Sequence, residues 1–497
     1  MSSSQRTEPD VHGEAAADGP DADRQRRAYS WRFVTPLLMS SVLNPVNSSL
    51  IATGLVPIAH AMGVSVGRTV VLVSTLYLAS SIAQPTAGKL AEQLGPRRIF
   101  VAGILLVLVG GVVGGVGQNL ATLIVARVLI GVGTSAGYPA AMVIIRRRAI
   151  WAGMSQPPGG VLGGLSIAGT VTVAIGPPIG GVLLAAFGWR SAFLVNLPIA
   201  LLALVLTMAW VPKDEPLDRL PLRVLASRID VTGIALFGGA MSSLLVFLLA
   251  LPTMDWIPLV IAVALGGALV FWELRAATPF IDFRLFASNL PLSRTYLRCA
   301  LTLLACYTVL YGITQWLEVA HGLSTIDAGL ALLPMGIVAA VVSRPIAARN
   351  LVRGPLILGA ACLVLASGAV MMFSSQTPIV AIIGVTLLFA IALGGTSVSN
   401  QTALYVQAPA DQVGTAAGLF RTVGYLGSTA SSTITGIVFR HNVSDSGLHV
   451  VAVILAGVSV VVLVLTVLDR ALKAPRTSSP HGKHTATRLQ PHQPSAK

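Results

Sequence analysis

Fourteen apolar runs constrain this chain more than any other feature. They span Phe33–Ile58, Thr69–Gly88, Arg98–Gly117, Asn119–Val143, Gly159–Phe187, Trp189–Val211, Asp230–Leu251 and Trp256–Arg275. The last six are Leu297–Val319, Ala328–Ala347, Pro355–Phe373, Pro378–Thr402, Val413–Phe439 and Leu448–Leu468. About 20 helical residues cross the roughly 30 Å of a bilayer's hydrocarbon. Water is absent there, so the backbone must bond to itself and each run reads as a helix. Only 10% of the 497 residues are charged and 54% are hydrophobic, whereas a soluble domain carries about 25% charged residues. The chain is expected to be an all-α polytopic membrane protein.

The basic residues alternate along the chain. One set of turns carries Arg24/Arg26/Arg27, Lys89/Arg97/Arg98, Arg146/Arg147/Arg148, Lys213/Arg219/Arg223/Arg228, Arg275/Arg284/Arg294, Arg349/Arg353 and Arg470/Lys473/Arg476. The other set carries single basic residues (Arg68, Arg190, Arg440) or acids such as Asp255 and Asp327. Cytoplasmic loops hold the excess of Lys and Arg, so both termini are expected in the cytosol. The same alternation accounts for the net charge of +14 without nucleic acid, for which no basic–aromatic motif is present. Cys299, Cys306 and Cys362 lie in apolar runs and read as small core residues. No metal or cofactor site is expected. His481, His484 and His492 fall in a Pro/Ser-rich tail and are read as solvated.

The longest linkers flank a central pair of runs. The expected division is a disordered cytoplasmic tail at 1–32, a six-helix bundle at 33–211, a linker with two extra spans at 212–296, a second six-helix bundle at 297–470, and a disordered tail at 471–497. Two bundles related by an axis along the membrane normal are a common transporter plan.

The stretch Gly169–Arg190 combines lipid-compatible composition with Gly176-Pro177-Pro178 and Gly180-Gly181. Its glycines allow close helix approach, and its prolines suit a kink that membrane neighbours can satisfy. From these residues alone it is either a pivot between bundles or a static packing face. Gly169 with Gly176-Pro177-x-x-Gly180-Gly181 resembles the antiporter motif on the fifth helix of the major facilitator superfamily. Phe187-Gly188-Trp189-Arg190 with Phe193, Asn196 and Pro198 resembles the fourteen-span drug:proton antiporters of that superfamily.

Three further stretches bear on that resemblance. Gly88-Lys89-Leu-Ala-Glu92-Gln-Leu-Gly95-Pro96-Arg97-Arg98 is similar to the superfamily's gating-loop signature, with Glu92 where Asp is usual. Glu92 is expected to pair with Arg97 or Arg98 in one state and part in another. Arg127 lies inside the fourth run, about 12 Å below its outer end. A buried Arg must face a cavity or a partner, and the superfamily's fourth-helix motif links this Arg to proton transfer. Arg421, with Tyr425 one turn on, is a second interior Arg, suited equally to substrate contact and to bonding a neighbouring helix.

The first run carries Asn44 and Asn47, which do not titrate, near the point where the fourteen-span antiporters usually have Asp. Glu318, with Gln315 nearby, is the acid most clearly inside a run; Asp230, Glu273 and Asp411 look interfacial. Asn400 and Gln401 either line a cavity or bond between helices. Two interior arginines without an interior acid suggest an anionic or zwitterionic substrate; the competing reading is an apolar drug with Glu318 or waters as compensation.

The expectation is a secondary active transporter in a cell membrane, bacterial inner membrane by the resemblance. The resemblance implies export of drugs or a small metabolite, coupled to protons, by alternating access of a monomer. An importer or uniporter of a small metabolite, or a non-transporting membrane sensor, shares the scaffold. No nucleotide site or catalytic triad is present, so an enzyme is not expected.

Overall fold

The computed structural model describes residues 28–64, 66–69, 71–154, 156–216, 229–250, 255–439 and 443–473. The expected tails fall almost wholly outside the described residues, as do Arg219, Arg223, Arg228 and Arg440. A helix lies under each of the fourteen apolar runs. They are α1 (Trp31–Met62), α2 (Val71–Leu94), α3 (Pro96–Val116), α4 (Leu120–Trp151, interrupted at Ala136), α5 (Gly159–Phe187), α6 (Ser191–Trp210, interrupted at Val195) and α7 (Val231–Ala250). The series continues with α8 (Ile257–Glu273), α9 (Leu290–Ala320), α10 (Thr325–Ala348), α11 (Arg353–Val370), α12 (Ile379–Gln407), α13 (Val413–Val438) and α14 (Asp445–Leu468). Nine helices among the described residues are long and apolar enough to cross a membrane, by length and composition.

Local chemistry sets the helix ends. Asn119, Asn289, Ser324 and Ser444 each accept a first-turn backbone N–H, at 2.9, 3.3, 3.1 and 3.2 Å, satisfying donors the helix cannot. Between α2 and α3 the chain turns on one residue. Gly95 takes φ +102°, which favours glycine, and Pro96 starts the next helix with a preset φ. Much of the expected gating loop is therefore helix. Likewise α9 begins at Leu290 rather than Leu297, because Arg294 and its polar neighbours Ser293 and Thr295 interrupt the apolar pattern but not the helix.

The helices group as two bundles. In the first, α1 packs on α5 and α6, α3 on α4 and α6, and α2 on α4. In the second, α9 packs on α13 and α14, α12 on α10 and α11, and α11 on α14. The bundles meet along two seams, α2 with α13 and α5 with α10. The pair α7–α8 packs together at the first seam, where α7 touches α2 and α13 and Thr433 Oγ1 donates to the Leu248 carbonyl at 3.0 Å.

The end holding Gly95, Arg146–Arg148, Asp214 and Asp469 is here the arginine-rich end. The seams are tightest in that half. A Cβ on Gly88 would collide with the Gly414 backbone, and one on Gly418 with the Gln84 carbonyl. On the other seam, Gly159 and Gly163 leave no room for a Cβ against Ala347. Small residues let helices touch backbone to backbone where lipid gives no hydrophobic drive.

Candidate functional site

The α2–α3 turn carries the first cluster. Glu92 lies beyond the apolar run that ends at Gly88. It does not pair with Arg97 or Arg98. Its carboxylate accepts from Thr415 N at 2.8 Å and Thr415 Oγ1 at 2.9 Å, capping the first turn of α13 across the seam. A helix N-terminus is electropositive and has free N–H groups, so it competes well with a neighbouring guanidinium. Burial pushes the Glu92 carboxyl up from 4.5 to about 7, against the pull of Thr415 and Lys89.

Asp214 is the acid that meets this turn, through backbone N–H groups and not through the guanidiniums of Arg97 and Arg98. It accepts from Arg97 N at 3.3 Å and Arg98 N at 2.8 Å, and lies 3.7 Å from Arg147 Nη1. The two guanidinium groups then bond carbonyls: Arg97 to Met208 at 2.9 Å, Arg98 to Leu94 at 2.9 Å and Glu215 at 2.7 Å. Asp214 lies more than a hundred residues from this turn, so no local spacing marks it.

The second cluster lines a cavity between the bundles, formed by Ser41, Asn44, Pro45, Gln84, Thr134, Tyr138, Arg421 and Tyr425. Asn44 is about 20 Å along α1 from Trp31, near mid-depth. Its amide donates to Ser80 Oγ at 3.1 Å and Thr134 Oγ1 at 3.0 Å, and its oxygen accepts from Tyr425 OH at 2.5 Å. That last bond joins the bundles. Arg421 stacks over the Tyr138 ring at 4.1 Å, a favourable cation–π position, and its Nε has no hydrogen-bond partner. Gln84 Oε1 and Tyr138 OH, also on the lining, are buried without partners. Cavity polar groups left unpaired are suited to a ligand or water.

Arg127 is not part of this lining. Fully buried, it donates from Nε to the Leu72 carbonyl at 3.0 Å and from Nη1 and Nη2 to the Asn47 carbonyl at 3.3 Å. It ties α4 to α2 and α1, as the reading of a buried Arg needing partners requires. Asn47 is also turned inward: its amide exchanges hydrogen bonds with Asn196 at 2.6 and 3.0 Å.

A third arginine was not singled out in the sequence. Arg298 on α9 is fully buried, donating to Asn400 Oδ1 at 2.7 Å and Thr295 Oγ1 at 3.0 Å, with Nη1 3.6 Å from Asp469 Oδ2. Arg294, one turn earlier, reaches Asp469 Oδ1 at 3.2 Å. An i, i+4 pair of arginines at the edge of an apolar run was the available signal. Asn400 therefore bonds between helices, while buried Gln401 leaves Nε2 without a partner. Gln315 is exposed and Glu318 partly so, near the outer end of α9 and about 30 Å along the helix from Arg298; neither lines the cavity.

In α5 the backbone is helical through Gly176 and Pro177. Gly169 is buried facing Pro45 of α1, Gly180 is buried, and Gly181 is exposed with open space beside it. The cysteines are buried and free. Among the described residues no group of three or more His, Cys, Asp or Glu could hold a metal.

The profile of the Major Facilitator Superfamily matches residues 37–432. The chain is 32% identical to YwoD, an MFS-type transporter of Bacillus subtilis (strain 168), over 85% of this chain and 93% of that one. It is 27% identical to the tetracenomycin C resistance and export protein of Streptomyces glaucescens, covering 84% and 78%. The crystal structure of the human organic anion transporter MFSD10 (TETRAN) superposes with a TM-score of 0.61 at 18% identity, covering 88% of this chain and 99% of that one. Two helical bundles enclosing a polar cavity, and a family match across most of both, place the chain in the Major Facilitator Superfamily, whose members are membrane transporters and not enzymes.

Proposed function

We propose that the chain exports small drug-like or metabolite molecules bearing a negative charge, by alternating access driven by the proton gradient. One observation carries the substrate charge: the Arg421 guanidinium reaches a cavity whose described lining holds no carboxylate. An anionic group would supply the missing counter-charge through charge-assisted hydrogen bonds. Tyr425, Asn44 and Gln84 would orient it. The basic turns support a cytosolic arginine-rich end, and there Glu92, Gly88 and Gly418 would hold the bundles together until the seam opens.

Efflux from a pump-deficient host decides between substrate classes. Arg421→Ala is expected to abolish efflux of anionic compounds and to spare neutral dyes. If neutral-dye efflux survives in Arg421→Ala and the parent never moves an anion, the anionic reading is wrong. A proton uncoupler should raise accumulation of the exported compound; an uncoupler that lowers it supports an importer instead.

A further inference from the structure

The ends of the central helix pair hold two carboxyl groups that neither the cavity nor the seam uses. The sequence reads Asp230 and Glu273 as interfacial, at the ends of the central pair. Both are also buried within the protein, 6% and 3% exposed. Asp230 stands at φ +57°, rare for a residue with a side chain. Its Oδ1 accepts from Gly233 N at 2.9 Å and Trp272 Nε1 at 2.9 Å, and its Oδ2 from Phe280 N at 3.1 Å. Glu273 is the opposite case. Neither of its oxygens has a hydrogen-bond partner, although the N–H groups of Phe280 and Ile281 face it. Glu273 Oε1 and Asp230 Oδ2 crowd the same point, the place a Cβ on Gly233 would take. The two carboxyl groups are thus in contact.

No described cation compensates them. Lys89 of α2 spends its ammonium on the Pro279 carbonyl at 2.8 Å. Arg275 lies over the Phe271 ring at 3.7 Å, and Arg284 donates to the Leu274 carbonyl. Asp282 caps Arg284 N at 3.0 Å, Glu92 holds Thr415, and Arg421 stacks on Tyr138. Two buried carboxylates in contact do not both ionise. The helix ends decide which one does. Asp230 sits at the N-terminus of α7 and accepts from three N–H donors. Glu273 ends α8, where the helix dipole disfavours a negative charge.

We propose that Asp230 and Glu273 form a proton-binding site in which Glu273 carries one exchangeable proton and donates it to the Asp230 carboxylate. The bound proton closes the C-terminal end of α8 onto the N-terminal end of α7. Losing it sets two like charges side by side and drives these ends apart. The segment that donates to Asp230 is also the one Lys89 grips, so the site is joined to the α2–α3 turn. The proposal is independent of what the cavity carries.

Infrared difference spectra of the purified full-length chain, taken as pH is raised, read the C=O stretch of protonated carboxyl groups without any transport. All samples carry Glu92→Gln, which removes the seam carboxyl that also titrates near about 7; that background is expected to lose one buried carboxyl proton per chain. Glu273→Gln, an isostere whose amide can still donate to Asp230, removes that step. Asp230→Asn, which suits a positive φ, moves the step at least about one pH unit lower by removing the adjacent charge. Asp255→Asn, at the far end of α8, changes neither. The proposal is overturned if the step persists in Glu273→Gln, if Asp230→Asn leaves its midpoint in place, or if sodium, potassium or calcium ions at fixed pH discharge the proton. Should Asp230→Asn not fold, the Glu273→Gln and cation arms decide.

Discussion

Arg127 and Arg421 are both guanidinium groups set within apolar helices, yet they are used in opposite ways. Arg127 is fully buried and directs its donors at the carbonyls of Leu72 and Asn47. Arg421 is partly exposed, stacks on Tyr138 and reaches the cavity with its Nε unpaired. The first is a tie between helices; the second is a charge held available. A buried Arg in a membrane protein therefore marks function only after its donors have been traced.

Four substitutions test this contrast, the largest effect coming from a third arginine. Arg298→Met leaves Asp469 buried beside Arg294 alone, and breaking such a pair costs about 3–5 kcal/mol. Thermal unfolding in detergent should show it, and Arg298→Met with Asp469→Leu should recover most of the loss. Recovery that fails would mean the pair does more than hold the fold. Arg127→Met removes charged donors from two carbonyls that also lie within helices, at about 1.5–3 kcal/mol. It should lower unfolding temperature more than it lowers transport per folded molecule.

Arg421→Met inverts that pattern. Little stability is expected to change, while anion efflux falls at least about tenfold, equivalent to about 1.4 kcal/mol. If Arg421→Met destabilises the chain as much as Arg127→Met does, the contrast between tie and available charge fails.

The smallest effect belongs to Glu92→Gln. Glu92 has a carboxyl pushed up to about 7 in this closed arrangement, above its ordinary 4.5. The closed state thus binds the proton more tightly than a state in which Glu92 meets water. Protonation favours closure, and that contribution is lost as pH rises through about 7. Distances between spin labels at the arginine-rich ends of α2 and α13 should lengthen several-fold in population between about pH 5 and pH 8. In Glu92→Gln the closed form should persist across that range.

Much of the fold was legible because lipid makes helix length and apolar composition coincide. The run Gly159–Phe187 is α5 from end to end. The pattern failed where charge was compensated from a distance. Arg294 delayed the apolar reading to Leu297, since its partner Asp469 lies at the far end of the chain. Glu92 was assigned the nearest guanidinium, while its donors on Thr415 are 323 residues away. Cavity residues Asn44, Arg421 and Tyr425 were found because a polar group in an apolar run is conspicuous. Asp214, in a charged turn, carried no such contrast.

The placement of α7 makes the two seams unequal. Both pairs of helices meet directly, but of the two junctions α7 packs against α2–α13. The pair α7–α8 thus marks one flank of the molecule and gives it a front and a back within the plane of the membrane.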